Sequence, residues 1–344
     1  MKNKLFICAA LLAATMIVSC DKESTENNPV EPTDGRQDIA LYFETGNRTA
    51  GTRAFGAGTT ESWEKAVNSA TVFVFAPDGS IRFRRDLSAK EIADAPTTPV
   101  SLIVPDVREG EECDFVVVAN RTVPKTVTSM DLLLAQLDEN AAAYNGTFAD
   151  ATSKSLRPEG FVMSGRTRQR ITRGTTNVGI ELTRTVAKIE VFLTTTDAFR
   201  AKYGDETITI NRITLSRGAQ ATYLMDRSAT NYADGGQNFA TVQESSDGRN
   251  LFYIFEKAGA TEGNRVLLTV DATYDIDGSV STTDDRVPVV YEVELTGAGD
   301  GRILRNGSYY VNASINGLTG SDIMAKIDVS DWETLATQHV DVGR

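Results

Sequence analysis

Short apolar runs with a period of two, each stopped by turn-forming residues, recur along this chain and limit what it can fold into. Ile39, Leu41 and Phe43 alternate with Ala40, Tyr42 and Glu44, and Val72-Phe73-Val74-Phe75 runs into Pro77-Asp78-Gly79. Similar runs are Val100 to Val104 before Pro105, Phe115 to Val118 before Asn120, Ile180-Glu181-Leu182 and Val186 to Leu193. Further on come Ile208 to Ile210, Ile213 to Leu215, Leu251 to Phe255, Val266 to Tyr274, Val287 to Leu295, Tyr309 to Ile315 and Met324 to Val329. Alternation of this kind sends successive side chains to opposite faces of a strand, so one face is apolar and must be covered. Helical spacing is convincing only from Thr128 through Leu137, with Ser129 or Thr128 as cap, and residues near Ala198 to Tyr203 add a turn or two. Many short strands with one or two short helices predict an all-β chain of β-sandwich domains. Their number suits two sandwiches in tandem, joined near Arg184.

The N-terminus carries a different signal. Lys2 and Lys4 precede an apolar run, Leu5 to Val18, that ends in Ser19 directly before Cys20. This is a secretory leader, too short for a mature membrane span of about 20 apolar residues. Ile17-Val18-Ser19-Cys20 resembles a lipobox, in which cleavage precedes an acylated cysteine, so Cys20 is the expected lipid-bearing first residue of the mature chain. An ordinary cut leader with a chance cysteine is the alternative. The polar stretch from Asp21 to Arg36 cannot bury a core and reads as a tether. With Cys8 in the leader and Cys20 lipidated, Cys113 is the one cysteine left for the exported part, so its stability rests on apolar burial. The net charge of −12 argues against nucleic acid as a partner.

Catalytic machinery is hard to assemble from this inventory. The single histidine, His339, stands near the C-terminus, which excludes multi-histidine metal sites and disfavours Ser-His-Asp or Cys-His chemistry. Phosphate-binding loops, nucleophile elbows and Cys-x-x-Cys pairs are absent, and nothing selects a catalytic pair among the many carboxylates. No enzyme activity, cofactor or metal is therefore expected. Asp275-Ile276-Asp277-Gly278 has closely spaced aspartates but lacks the distal glutamate of a calcium loop, and reads better as a hairpin turn. Arg166, Arg168 and Arg170 share one strand face, which is either solvated or set against an acidic neighbour. Cys113 shares a face with Phe115 and Val117 and reads as a buried structural thiol.

Several motifs resemble those of one family. Phe161-Val162-Met163-Ser164-Gly165, Leu182-Thr183-Arg184-Thr185-Val186-Ala187-Lys188, Arg305-Asn306-Gly307-Ser308-Tyr309-Tyr310, Ile315-Asn316-Gly317 and Ile327-Asp328-Val329-Ser330-Asp331-Trp332 are similar, in order and spacing, to segments of the Bacteroidales fimbrillins, the type V pilins. The resemblance implies two transthyretin-like β-sandwich domains and a structural role in a surface fimbrium. It also implies cleavage by an arginine-specific surface protease after the first strand, which Thr52-Arg53-Ala54 fits best and Arg48 fits next. The expected organisation is a signal peptide (1–19), a lipidated tether (20–38), the first strand and cleavable end (39–53), an N-terminal sandwich (54–184) and a C-terminal sandwich (185–344).

One physical consequence follows from the residues. Cutting at Arg53 detaches lipidated Cys20 together with the strand bearing Ile39, Leu41 and Phe43, and leaves an apolar groove with unpaired backbone, which a strand from another subunit can fill. The tail at about 333–344 offers such a donor, with Leu335, Val340 and Val342 as its apolar residues. The expected partners are other copies of this chain, fimbrial accessory subunits, the protease, and the outer membrane through lipid before cleavage. The competing reading is a tip or accessory adhesin, or a surface lipoprotein that binds host glycan or protein.

Overall fold

The computed structural model describes residues 36–45, 61–227, 238–245, 247–257, 261–279, 282–296, 301–331 and 338–342, the last stretch from 329 onward by its backbone alone. Cys20, Arg48, Arg53, Ala54 and Leu335 lie outside the described residues.

The first half holds eight strands: β1 (Gln37–Thr45), β2 (Ala70–Phe75), β3 (Ile81–Asp86), β4 (Val100–Val104), β5 (Glu112–Ala119), β6 (Leu137–Glu139), β7 (Met163–Arg170) and β8 (Thr176–Arg184). Seven of them form one sheet in the order β3-β2-β5-β7-β8-β1-β4. Between β7 and β8 the ladder is confined to Met163 with Arg184 and Ser164 with Thr183. The sheet turns a corner there, so its two wings close on a shared core. That core takes Ile39, Leu41 and Phe43 from β1, Val72 and Val74 from β2, Leu102 from β4, Cys113, Phe115 and Val117 from β5, and Val178 and Ile180 from β8. The alternation read from the sequence thus marks the inward faces.

β2 and β5 do not alternate, since every residue of β2 is buried and only Glu112 of β5 is exposed. Unbroken apolar strands need cover on both faces. Their second face, Phe73, Phe75, Val116 and Val118, packs under the chain between β5 and β7. This cover includes α2 (Met130–Leu134), β6 and α3 (Phe148–Ala151). Ser129 caps α2, its hydroxyl accepting from Leu132 N at 3.3 Å, and Met130 and Leu133 point inward. The helix is shorter than the spacing from Thr128 to Leu137 predicts. Leu137 begins β6 instead, because the Gln136 carbonyl accepts from Leu224 N and β6 pairs with a strand of the second half. Tertiary pairing overrides helix propensity here. A helix not anticipated from apolar spacing, α1 (Ala89–Asp94), starts at a capping box in which Ser88 and Glu91 satisfy each other's backbone.

The second half follows at once, with β9 (Val186–Thr195), α4 (Asp197–Tyr203), β10 (Ile208–Gly218), β11 (Ala221–Tyr223), β12 (Phe239–Glu244), β13 (Arg249–Phe255), β14 (Leu267–Asp275), β15 (Arg286–Glu294), β16 (Gly307–Ile315), β17 (Ile323–Asp331) and β18 (Gln338–Val342). Two sheets, β13-β9-β16-β17-β18 and β12-β10-β14-β15, face each other over Ile189, Val191, Phe252, Leu268, Val311 and Ile327. The runs at Ile208 and Ile213 belong to one strand, bulged where the register shifts between Ile210 and Arg212. Thr196 caps α4, and the buried Phe199 holds it down. The chain is therefore all-β with short helices and two β-sandwich lobes, and Gly35–Arg344 form one compact unit. Among the described residues no helix is long and apolar enough to cross a membrane.

Truncating the covered outer face of β2 tests this layering. Phe73→Ala is expected to lower stability by about 3–5 kcal/mol, read as a shift in the urea midpoint, because a fully buried ring leaves a cavity under the 120–162 segment.

Candidate functional site

β1 is the first strand in the chain but an internal strand in space. It pairs parallel to β8 from Ile39 with Thr176 to Thr45 with Leu182, and antiparallel to β4 from Gln37 with Val104 to Leu41 with Val100. Ile39, Leu41 and Phe43 are 1, 0 and 6% exposed. At about 1.5–3 kcal/mol for each fully buried side chain, their burial contributes roughly 5–9 kcal/mol to the first lobe. Removing β1 would bare two backbone edges, one on β4 and one on β8. Its last residues, Tyr42 to Thr45, pair with β8 alone. Beside them opens a cleft of about 970 Å³ lined by Phe43, Thr45, Lys65, Ile92, Arg166 and Ile180. In the second half of the chain the backbones of Val340 and Val342 lie in β18, opposite Ile327 and Ala325 of β17. The tail strand is thus an edge strand, held on one side.

The motif residues converge elsewhere, on the seam between the lobes. Arg184 is fully buried; its Nε donates to the Glu64 carbonyl at 2.9 Å and its Nη1 to Asn306 Oδ1 at 2.8 Å. The Lys188 ammonium lies 2.7 Å from Glu64 Oε1, which also accepts from the Tyr253 hydroxyl at 3.0 Å. Burial, then the Glu64 charge, pushes the Tyr253 phenol well above its usual range. Glu64 sits in the 3-10 turn Ser62–Lys65, and nothing in its local sequence flags it as buried. Arg305 pairs with the buried Glu256 and donates to the Tyr223 carbonyl at 2.7 Å. Ser164 donates to the Leu224 carbonyl at 2.7 Å. At Gly165 a Cβ would stand 2.2 Å from the Glu181 carbonyl oxygen, so only glycine lets β7 approach β8 this closely.

The other candidates resolve into structure. Arg166 and Arg168 meet an acidic neighbour, Asp114 on β5, at 3.0 and 2.8 Å. Burial works to raise the Asp114 carboxyl, but hydrogen bonds from Arg168 and Arg166 outweigh it and hold it below the ordinary carboxylate range. Cys113 is buried, and burial pushes its thiol up to about 11, as suits a structural cysteine. Asp275, Asp277 and Asp285 bring oxygens within 4.8 Å of one another. Arg286 lies 3.2 Å from Asp275, Asp277 Oδ1 accepts from Ser279 N at 2.7 Å, and Gly278 has φ +67°, all in keeping with a turn that joins β14 to β15.

A two-lobed all-β chain whose first strand completes a core built by later strands has the fold of the fimbrillins. Among solved structures it superposes on a fimbrilin from Porphyromonas gingivalis W83 with TM-score 0.60 and 16% identity, covering 87% of this chain and 98% of that one. A fimbrial assembly protein from Parabacteroides distasonis ATCC 8503 gives TM-score 0.55, 14% identity and coverage of 88% and 99%. The tip fimbrial protein Mfa3 from Porphyromonas gingivalis, with C-terminal truncation, gives TM-score 0.52, 16% identity and coverage of 86% and 100%. At such identities the likeness is one of fold. No curated protein matches the chain. The model of the family described as fimbrillin-A associated anchor proteins Mfa1 and Mfa2 matches residues 31–335, and the chain belongs to that family. It is accordingly a fimbrial protein of the cell surface, in a structural rather than an enzymatic family, and the resemblance read from its motifs is borne out.

The Asp114 cluster gives a pH test. A folded pKa below the unfolded value of about 3.9 stabilises at neutral pH, and the contribution is lost as pH falls through the folded value. Asp114→Asn should cost about 1 kcal/mol at pH 7, discounted because both arginines are substantially exposed. The gap from wild type should narrow as urea midpoints are measured at pH values falling from 7 to below the ordinary carboxylate range.

Proposed function

We infer that this chain is a polymerising subunit of a surface fimbrium. It is exported on lipidated Cys20, cut between Arg53 and Ala54 with Arg48 as the neighbouring alternative, and joined to the next copy by strand exchange. The observation that carries this reading is the placement of β1 between β4 and β8. A strand supplying three core side chains enters from the N-terminal side of residues 46–60, so one cut there severs β1 from everything it packs against. The cleft beside Tyr42 to Thr45 supports access for a protease at that end.

Once β1 leaves, the exposed groove has two unpaired edges and an apolar floor, and both features favour an incoming strand. The donor is the tail that carries Leu335, Val340 and Val342. Thirteen residues follow Asp331, enough to span the seven positions that β1 matches along β8. The tail must first leave β17, where five ladder pairs on one side hold it. Exchange replaces that single edge with two, so the backbone pairing lost on release is more than recovered in the groove. Copies of itself and fimbrial accessory subunits are the partners on this reading, with an arginine-specific protease as the processing enzyme.

The description of the family as anchor proteins favours a second reading, a subunit that keeps its lipid and holds the fimbrium at the outer membrane. The N-terminal residue of the protein recovered from the cell surface separates the two. A polymerising subunit begins at Ala54, and Arg53→Ala then begins at acylated Cys20 and stays monomeric. Fibres assembled from Arg53→Ala with Arg48 uncut would overturn the mechanism. Acylated Cys20 on the wild-type surface protein would establish the anchor.

A further inference from the structure

β8 and β9 are one run of chain, parted only by Thr185. β8 flanks the β1 position in the first lobe, and β9 lies parallel to β16 over eight pairs in the second. β16 in turn pairs with β17 over nine, and the tail follows β17. In a fimbrium under tension, load on the strand seated beside β8 passes along β8 by shear, crosses Thr185 into β9, and leaves through β16 and β17. A single residue between two lobes is a hinge unless something fixes it, and apolar contact alone is non-directional and lets surfaces slide.

Directional contacts converge on that residue. The Thr185 hydroxyl donates to Asp138 Oδ2 at 2.6 Å, and the fully buried Asp138 also accepts from Tyr144 at 2.7 Å and Arg157 at 3.1 Å. Arg184, next to Thr185, and Lys188, three residues on in β9, grip the backbone and carboxylate of Glu64, while Asn306, just before β16, accepts from Arg184. Further out, Thr222 donates to Glu256 at 2.5 Å and ties β11, and through it β6, to the second lobe. Charge-assisted hydrogen bonds are short and directional, so small displacements break them, and burial shields them from screening by salt.

We propose that this seam is a load-bearing joint, which makes the two lobes one rigid link and carries tension from the groove beside β8 to the C-terminal tail without lobe separation. The role rests on the fimbrial reading above. Its test uses the uncut single chain, so it reads out whether or not strand exchange occurs.

The full chain is held in optical tweezers at Ser101 on β4 and Lys326 on β17, both exposed. The wild type is expected to extend without any event before a lobe ruptures. Glu64→Gln and Asp138→Asn should each add a short early extension, with lobes separating about a hundredfold faster at a given force, since breaking one partner of a buried pair strands the other. Arg212→Gln, which removes an exposed pair with Asp271 on β14, should match the wild type. If Glu64→Gln does not fold, Thr185→Val, which deletes only the hydroxyl bound to Asp138, carries the comparison. Early separation in the wild type at the variants' rate, or seam variants that extend like the wild type, overturns the joint.

Discussion

The first lobe is completed by a strand that the chain delivers before any of that strand's neighbours. β1 puts Ile39, Leu41 and Phe43 into a core otherwise built from residues 70–182, and lies between β4 and β8 with backbone pairing on both sides. Apolar burial and edge pairing therefore depend on a segment whose covalent link to the rest runs through residues 46–60. A fold built this way is stable while the link holds and the strand stays seated. Once the link is cut, the strand is held by noncovalent contacts alone, and on the proposed function a competing strand of similar pattern takes its place.

The seam makes a complementary demand. Burying Glu64, Asp138 and Glu256 costs desolvation energy that ion pairing recovers only in good geometry, so such groups are poor devices for raw stability. What they supply is a fixed arrangement. Glu64 in particular is matched to Lys188 and Tyr253, far away in sequence and in the other lobe, and that match holds only when the lobes dock in one orientation. The segment between β5 and β7 is part of the same arrangement, because it covers the outer face of β2 and β5 and pairs through β6 with β11. The cover on the first lobe is thereby paired to the second lobe, which carries the tail.

Much of the fold was legible locally. The alternation in β1, β4, β8 and β16 marked the inward residues correctly, whereas β2, read with the same period, is buried on both faces because the chain between β5 and β7 covers its second one. The capping box at Ser88 and Glu91 was a readable helix start that apolar spacing alone passes over. Other features depend on distant partners. That β1 is internal follows from pairing with β4 and β8, which no local pattern specifies. Glu64 looks like a solvated acid in Ser62-Trp63-Glu64-Lys65 and is buried only because the second lobe brings Lys188 and Tyr253 to it. The motif around Arg184 and Lys188 was visible as a motif, whereas its physical reason lies in Glu64 and Asn306. The Arg166 and Arg168 stripe could be read as solvated or paired, and Asp114 on the neighbouring strand decides for pairing.

The central claim is that β1 is a replaceable strand, and a reversible lock on it is the most direct measurement. Leu41→Cys with Val178→Cys places two thiols on paired positions of β1 and β8, so oxidation ties the strand into its groove. The locked chain should be cut after Arg53 yet remain monomeric with its β1 peptide attached, and polymer should appear on reduction. Equal polymer from locked and reduced chains would contradict the account, because assembly would then not require β1 to leave.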